Sequence, residues 1–142
     1  MPNSKKQNNM VDPRNSLNHL SNTQLMVETK SVWFSKPPRR DKLKSQHPAT
    51  FAESDIIRLI EFFTKPGENV LDPFLGSGST LVACAQCGRQ GTGIELVRQW
   101  ADVARQRIAD EQCQFPQTVL EGDARRILPA IGNESIDFIV TS

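Results

Sequence analysis

Residues 69–88, NVLDPFLGSGSTLVACAQCG, constrain this chain more than any other segment. A short apolar, strand-like run ends in the carboxylate of Asp72. Gly76 and Gly78 then mark a tight loop, and an apolar helical run follows to Gly88. A strand that turns through glycines straight into a helix opens a βα unit, and the pattern repeats. TGIEL (92–96) is a second strand with an acid, Glu95, at its end. Trp100, Val103, Ala104 and Ile108 then share one helical face. TVLEGDA (118–124) is a third strand whose acidic end carries Asp123, RRILPAI suggests a short helix, Gly132-Asn133 a turn, and IDFIVTS (136–142) a fourth strand. This alternation predicts parallel strands joined by right-handed crossovers. Parallel strands bring their C-terminal ends to one sheet edge, where open α/β sheets bind ligands. Asp72, Glu95 and Asp123 are expected to meet there.

A helical stripe of Ile56, Ile60 and Phe63, stopped by Pro66-Gly67, precedes the first strand, so the folded body is expected over residues 47–142. Residues 1–46 hold nine Lys/Arg against three Asp/Glu, whereas the body holds eight against thirteen. The first segment therefore reads as a basic, largely disordered leader. Within it KPPRRDKLK (36–44) is an extended stretch, either a phosphate-contacting arm or a solvated linker. The 142 residues suit a single domain. No apolar run approaches the roughly 18 residues of a membrane span, and the first residues lack the apolar centre of a secretion signal. Three cysteines make no disulfide framework, which points to the cytoplasm. Cys84 and Cys87 fall inside the predicted helix, remote in sequence from His19 and His47, so packing is expected of them and no metal. Arg89, Arg98, Arg105 and Arg107 read as surface charges, and Trp100 as core.

A Gly-x-Gly loop between strand and helix first suggests a dinucleotide site, with Glu95 on a ribose. Leu81 stands where the third glycine would be, and Asp72 opposes that reading. A pyrophosphate beside a carboxylate at 4 Å costs roughly 4 kcal/mol at an effective dielectric of 20. A ligand carrying cations there gains instead. S-adenosyl-L-methionine meets this requirement, with an ammonium and a sulfonium at one end, a ribose diol, and an adenine amine at the other end. The expected roles are Asp72 toward the ammonium, Glu95 toward the ribose and Asp123 toward the adenine amine. The backbone at Gly76 and Gly78 approaches closely, and first-turn N–H groups of the following helix receive the carboxylate. Phe51, Phe74 and Thr80 complete the candidate cofactor-binding set.

DPFLGSGST (72–80) resembles the cofactor loop of the amino-group DNA methyltransferases, which modify cytosine N4 or adenine N6. HPATFAES (47–54), GIEL (93–96) and EGDA (121–124) resemble the segments that line the methionine, ribose and adenine parts of the same pocket. The resemblance spans residues 33–142. It implies a Rossmann-like methyltransferase fold, S-adenosyl-L-methionine as cofactor, DNA as partner, and DNA methylation of the restriction–modification kind. Ser142 matches the first position of the catalytic motif, where serine leans toward cytosine N4, and the Pro-Pro-Tyr that completes the motif is absent. About four of seven strands are then expected, with an apolar edge at IDFIV. The resemblance implies a cofactor-binding part that is inactive in isolation and is either completed by a second chain or truncated. The alternative is a non-catalytic remnant that binds cofactor or partner.

Overall fold

The computed structural model describes residues 10–30, 32–35 and 51–141. The basic stretch 36–44, His47 and Ser142 lie outside the described residues. The elements run α1 (Asn22–Glu28), α2 (Glu53–Phe63), β1 (Asn69–Asp72), α3 (Ser79–Cys87), β2 (Gln90–Glu95), α4 (Arg98–Ala109), β3 (Gln117–Glu121), α5 (Ala124–Ile127), a 3₁₀ turn (Leu128–Ala130) and β4 (Phe138–Ile139).

The four strands form one parallel sheet in the order β3-β2-β1-β4. The chain thus steps outward from β1 to β3 and then returns to the other side of β1. In register, Asp72 faces Gly93, and Glu95 faces Glu121. The tips of β1, β2 and β3 are therefore neighbours along one edge. Only two residues of the expected fourth strand pair in the sheet, although its hydrogen bonds reach from Asp137 to Asn69 and from Val140 to Leu71. β4 has no strand on its outer side among the described residues, and Ile139 is 57% exposed there.

Side chains alternate across β1, and each face has its own core. Val70 packs with Ile56 and Ile60 of α2 and with Ala83 and Cys84 of α3. Leu71 points the other way, to Ile94 and Ala124. A third cluster, Leu75, Leu81 and Ala104, binds the glycine loop to α3 and α4. On α4 the fully buried positions are Ala101 and Ala104, whereas Trp100 is only half-buried. The expected core tryptophan is thus only partly in the core, and the small Ala104 stands where the loop backbone comes closest to α4. A Cβ added at Gly78 would lie 2.8 Å from the Ala104 Cβ. Cys84 is buried and Cys87 half-buried; burial pushes the Cys84 thiol far up and the Cys87 thiol to about 11, so neither is poised as a thiolate.

Two further expectations are corrected. Residues 18–30 and 32–35 do not fit a largely disordered leader. Ser21 and Gln24 form a reciprocal capping box at the start of α1, a Ser-x-x-Gln spacing that the sequence displays. The segment then fastens to α2. The buried Asn18 donates to the Phe62 carbonyl at 2.6 Å, Arg58 bonds Glu28 at 2.9 Å, and the Arg58 guanidinium lies 4.3 Å from the Trp33 ring centroid. Nor are all four arginines surface charges. Arg89 is 4% exposed and donates to Thr64 Oγ1, the Thr64 carbonyl and the Cys87 carbonyl, so it satisfies the chain ends of both α2 and α3. Arg107 is also buried.

Candidate cofactor site

The strand tips of β1, β2 and β3 enclose a cavity of about 360 Å³. That lies within the roughly 300–1,000 Å³ of small-molecule sites. Seven of the eight expected cofactor residues line it: Phe51, Asp72, Phe74, Gly76, Thr80, Glu95 and Asp123. The eighth, Gly78, is not among the lining residues. It takes a left-handed φ of 88° as the N-cap of α3, with its back against Ala104. It lets the loop turn and seats it on α4.

Asp72 ends β1 at the cavity floor, 2% exposed. Oδ1 accepts from the Phe74 N–H at 3.0 Å, a local turn favoured by the Asp-Pro pair, and Oδ2 accepts from Thr80 Oγ1 at 2.6 Å. Thr80 therefore orients Asp72. Burial raises the Asp72 carboxyl above the ordinary aspartate range, and the nearby Glu95 charge adds to this. Hydrogen bonds from Thr80, Phe74 and Thr141 work against the rise. Thr141 follows β4, so the end of the edge strand also reaches this acid.

Glu95, 9% exposed, ties the loops together. One carboxylate oxygen accepts from the Gly76 N–H at 2.7 Å and the other from the Val97 N–H at 2.8 Å, while the Glu95 carbonyl accepts from the Gly122 N–H at 2.9 Å. Three strand-tip loops thus converge on one residue. Each oxygen keeps a further lone pair for a hydroxyl donor. The loop reaches β2 because Leu75 donates its N–H to the Ile94 carbonyl at 2.8 Å and sits on Gly93, where an added Cβ would lie 2.6 Å from the leucine side chain.

Asp123 lies at the rim. It caps α5 by accepting from the Arg125 N–H at 3.0 Å, and the Arg125 guanidinium bonds it at 2.6 Å. Those hydrogen bonds hold its carboxyl below the ordinary range. Arg125 itself is 89% exposed at its side chain, so this partner can swing away into water. Phe74 (64% exposed) and Leu96 (69%) stand with Val97 around the opening. Leu96 belongs to the GIEL motif and Val97 lies just outside it; two apolar residues directly after an acidic strand tip mark both.

Two buried acids facing one cavity need positive charge or donors to offset them. The first intrahelical bond of α3 runs from the Val82 N–H to the Gly78 carbonyl at 3.1 Å, so the N–H groups before it have no partner within the helix. A ligand with an ammonium, hydroxyl donors and a carboxylate at one end satisfies both demands. S-adenosyl-L-methionine has those groups, and these residues fit it. Among the described residues, no helix is long and apolar enough to cross a membrane.

The family model described as DNA methylase (N6_N4_Mtase) matches residues 1–106. YubD of Escherichia coli K12, described as a methylase, is 44% identical over 77 residues, which are 54% of this chain and 34% of YubD. The type II methyltransferase M2.DpnII of Streptococcus pneumoniae is 34% identical over 100 residues, 66% of this chain and 37% of that protein. The chain thus spans about a third of the length of the curated relatives it matches. TTHA0409 of Thermus thermophilus, described as a DNA modification methylase and solved with S-adenosyl-L-methionine, superposes with a TM-score of 0.57 at 34% identity, over 72% of this chain and 39% of that one.

Proposed function

Because this chain belongs to the N6/N4 DNA methylase family, we propose that it forms the cofactor-binding part of an enzyme that methylates an exocyclic amine of DNA. The fold is a Rossmann-like methyltransferase sheet, represented by four parallel strands. S-adenosyl-L-methionine is the cofactor; bound, it supplies an electrophilic methyl group. The observation that carries the reading is the meeting of Asp72, Glu95 and Asp123, from three adjacent strand tips, in one cavity.

The chain's own residues divide the binding work. Asp72, oriented by Thr80, receives the ammonium. Glu95 accepts the ribose hydroxyls. Asp123 accepts the adenine amine once Arg125 moves aside. The first-turn N–H groups of α3 receive the carboxylate, and Phe51 and Phe74 exclude water at the opening. Cytosine N4 is favoured over adenine N6, on the identity of Ser142 at the position that follows Thr141. A second chain would pair along the outer edge of β4, where Ile139 is exposed.

Titration calorimetry with S-adenosylhomocysteine tests the cofactor site, and absence of heat at millimolar ligand would sink it. Transfer of labelled methyl from S-adenosyl-L-methionine to duplex DNA, followed by nucleoside mass spectrometry, tests the rest. The isolated chain is expected to transfer none; the enzyme completed by the missing strands is expected to give N4-methylcytosine, and N6-methyladenine would reverse the base preference.

A further inference from the structure

The buried cation of α4 is used by none of the roles above. Arg107 has a side chain only 5% exposed, yet its partners lie far from it in sequence. Nη1 donates to the Ser77 carbonyl at 2.7 Å and lies 3.4 Å from the hydroxyls of Ser77 and Ser79. Nη2 donates to Glu53 Oε1 in the first turn of α2 at 2.6 Å, and Ser79 Oγ donates to that same oxygen at 3.1 Å. One guanidinium therefore joins the entry of α2, the glycine loop and α4.

The Ser77–Gly78 peptide is held at both ends. Its carbonyl accepts from Arg107, and its N–H donates to the Leu75 carbonyl at 3.2 Å. A peptide is planar, so fixing both groups fixes the plane. Gly78, which permits the left-handed turn, has no side chain to resist rotation of that plane. A rotated peptide would turn the carbonyl from the α4 side of the loop toward the N–H groups that meet the ligand's carboxylate.

We propose that Arg107 is a positioning residue for the cofactor's amino-acid end: oriented by Glu53, it clamps the Ser77 carbonyl so that the loop presents its N–H groups to the cofactor carboxylate. This rests on the S-adenosyl-L-methionine reading of the cavity. The same chemistry separates it from a general stabilising role. S-adenosylhomocysteine carries the amino-acid carboxylate, whereas 5′-methylthioadenosine has the nucleoside and thioether without it.

The test compares the two ligands by calorimetry on the full chain. If the wild type binds neither, the cofactor reading fails, and this inference with it. In Arg107→Lys the charge remains but the fork that serves Ser77 and Glu53 together is lost. Its dissociation constant for S-adenosylhomocysteine should rise at least tenfold while that for 5′-methylthioadenosine stays within twofold. The double variant Glu53→Leu/Arg107→Met removes the buried pair altogether, a change that commonly leaves folding intact, and should show the same split. If the double variant does not fold, Arg107→Lys decides alone; should that also unfold, amide shifts of Ser77 and Gly78 in wild type decide, since a clamped peptide leaves them unmoved by 5′-methylthioadenosine. Parallel weakening of both ligands, wild-type affinity for both, or amides that move with the nucleoside alone would overturn the proposal.

Discussion

The floor and the rim of the cavity hold the same kind of residue in opposite circumstances. Asp72 at the floor is 2% exposed, takes its hydrogen bonds from neutral donors and is raised by burial. Asp123 at the rim is lowered by an exposed arginine that already satisfies it. The floor acid is thus a poorly compensated charge that gains by meeting a cation. The rim acid must exchange one partner for another and gains little. Two carboxylates near neighbouring strand tips therefore differ in how much binding energy they can contribute.

The largest expected effect is at the floor. Asp72→Asn should weaken S-adenosylhomocysteine binding by roughly 1.5–3 kcal/mol through loss of a charge-assisted contact. The same change should raise thermal stability near pH 7. The sign follows from linkage. A carboxyl raised in the folded state contributes stability that is fully present below the ordinary aspartate value near 3.9 and is lost as pH rises through the raised folded value. Asparagine removes that loss. Melting curves from pH 4 to 8 check this, and a variant that is less stable at pH 7 with an unchanged pH slope would break the contrast.

Next comes the wall between the two regions. Gly78→Ala should cost about 1–2 kcal/mol, since φ is 88° and the added Cβ would lie 2.8 Å from Ala104. Chemical denaturation measures it, and a neutral result would mean that loop and α4 separate easily.

At the rim, Asp123→Ala should weaken S-adenosylhomocysteine by less than about 1 kcal/mol, because a neutral amine offers no charge-assisted bond. Arg125→Ala, which frees Asp123, should leave affinity equal or better. A larger loss from Asp123 than from Asp72 would invert the comparison. The smallest effect on folding belongs to Phe74→Ala. At 64% exposure its stability should stay within about 0.5 kcal/mol of wild type, while ligand affinity falls; an unchanged affinity would remove Phe74 from the site.

Much of the site was legible before any coordinates. The acids could be placed because each ends a short apolar run, and the parallel order of strands brings such ends together. Phe51 and Phe74 followed from their neighbours in the resembling motifs. Other features were legible but passed over. Arg107 lies seven residues after Trp100, on the stripe of Ala104 and Ile108, where a charge on an apolar face is the mark of a buried partner. The capping box of Ser21 and Gln24 likewise stood in the sequence of a segment read as disordered.

Local pattern sufficed for the alternation of strand and helix, the glycine turn and the family, because these depend on residues within a few positions of one another. Depth and pairing did not follow from it. Whether Asp72 is buried, whether the Thr80 hydroxyl reaches that acid, and which carboxylate, 54 residues away, meets Arg107 are settled only when α2, the loop and α4 close on one another. Burial and hydrogen-bond partnership are properties of packing between distant segments, and no short window of sequence contains them.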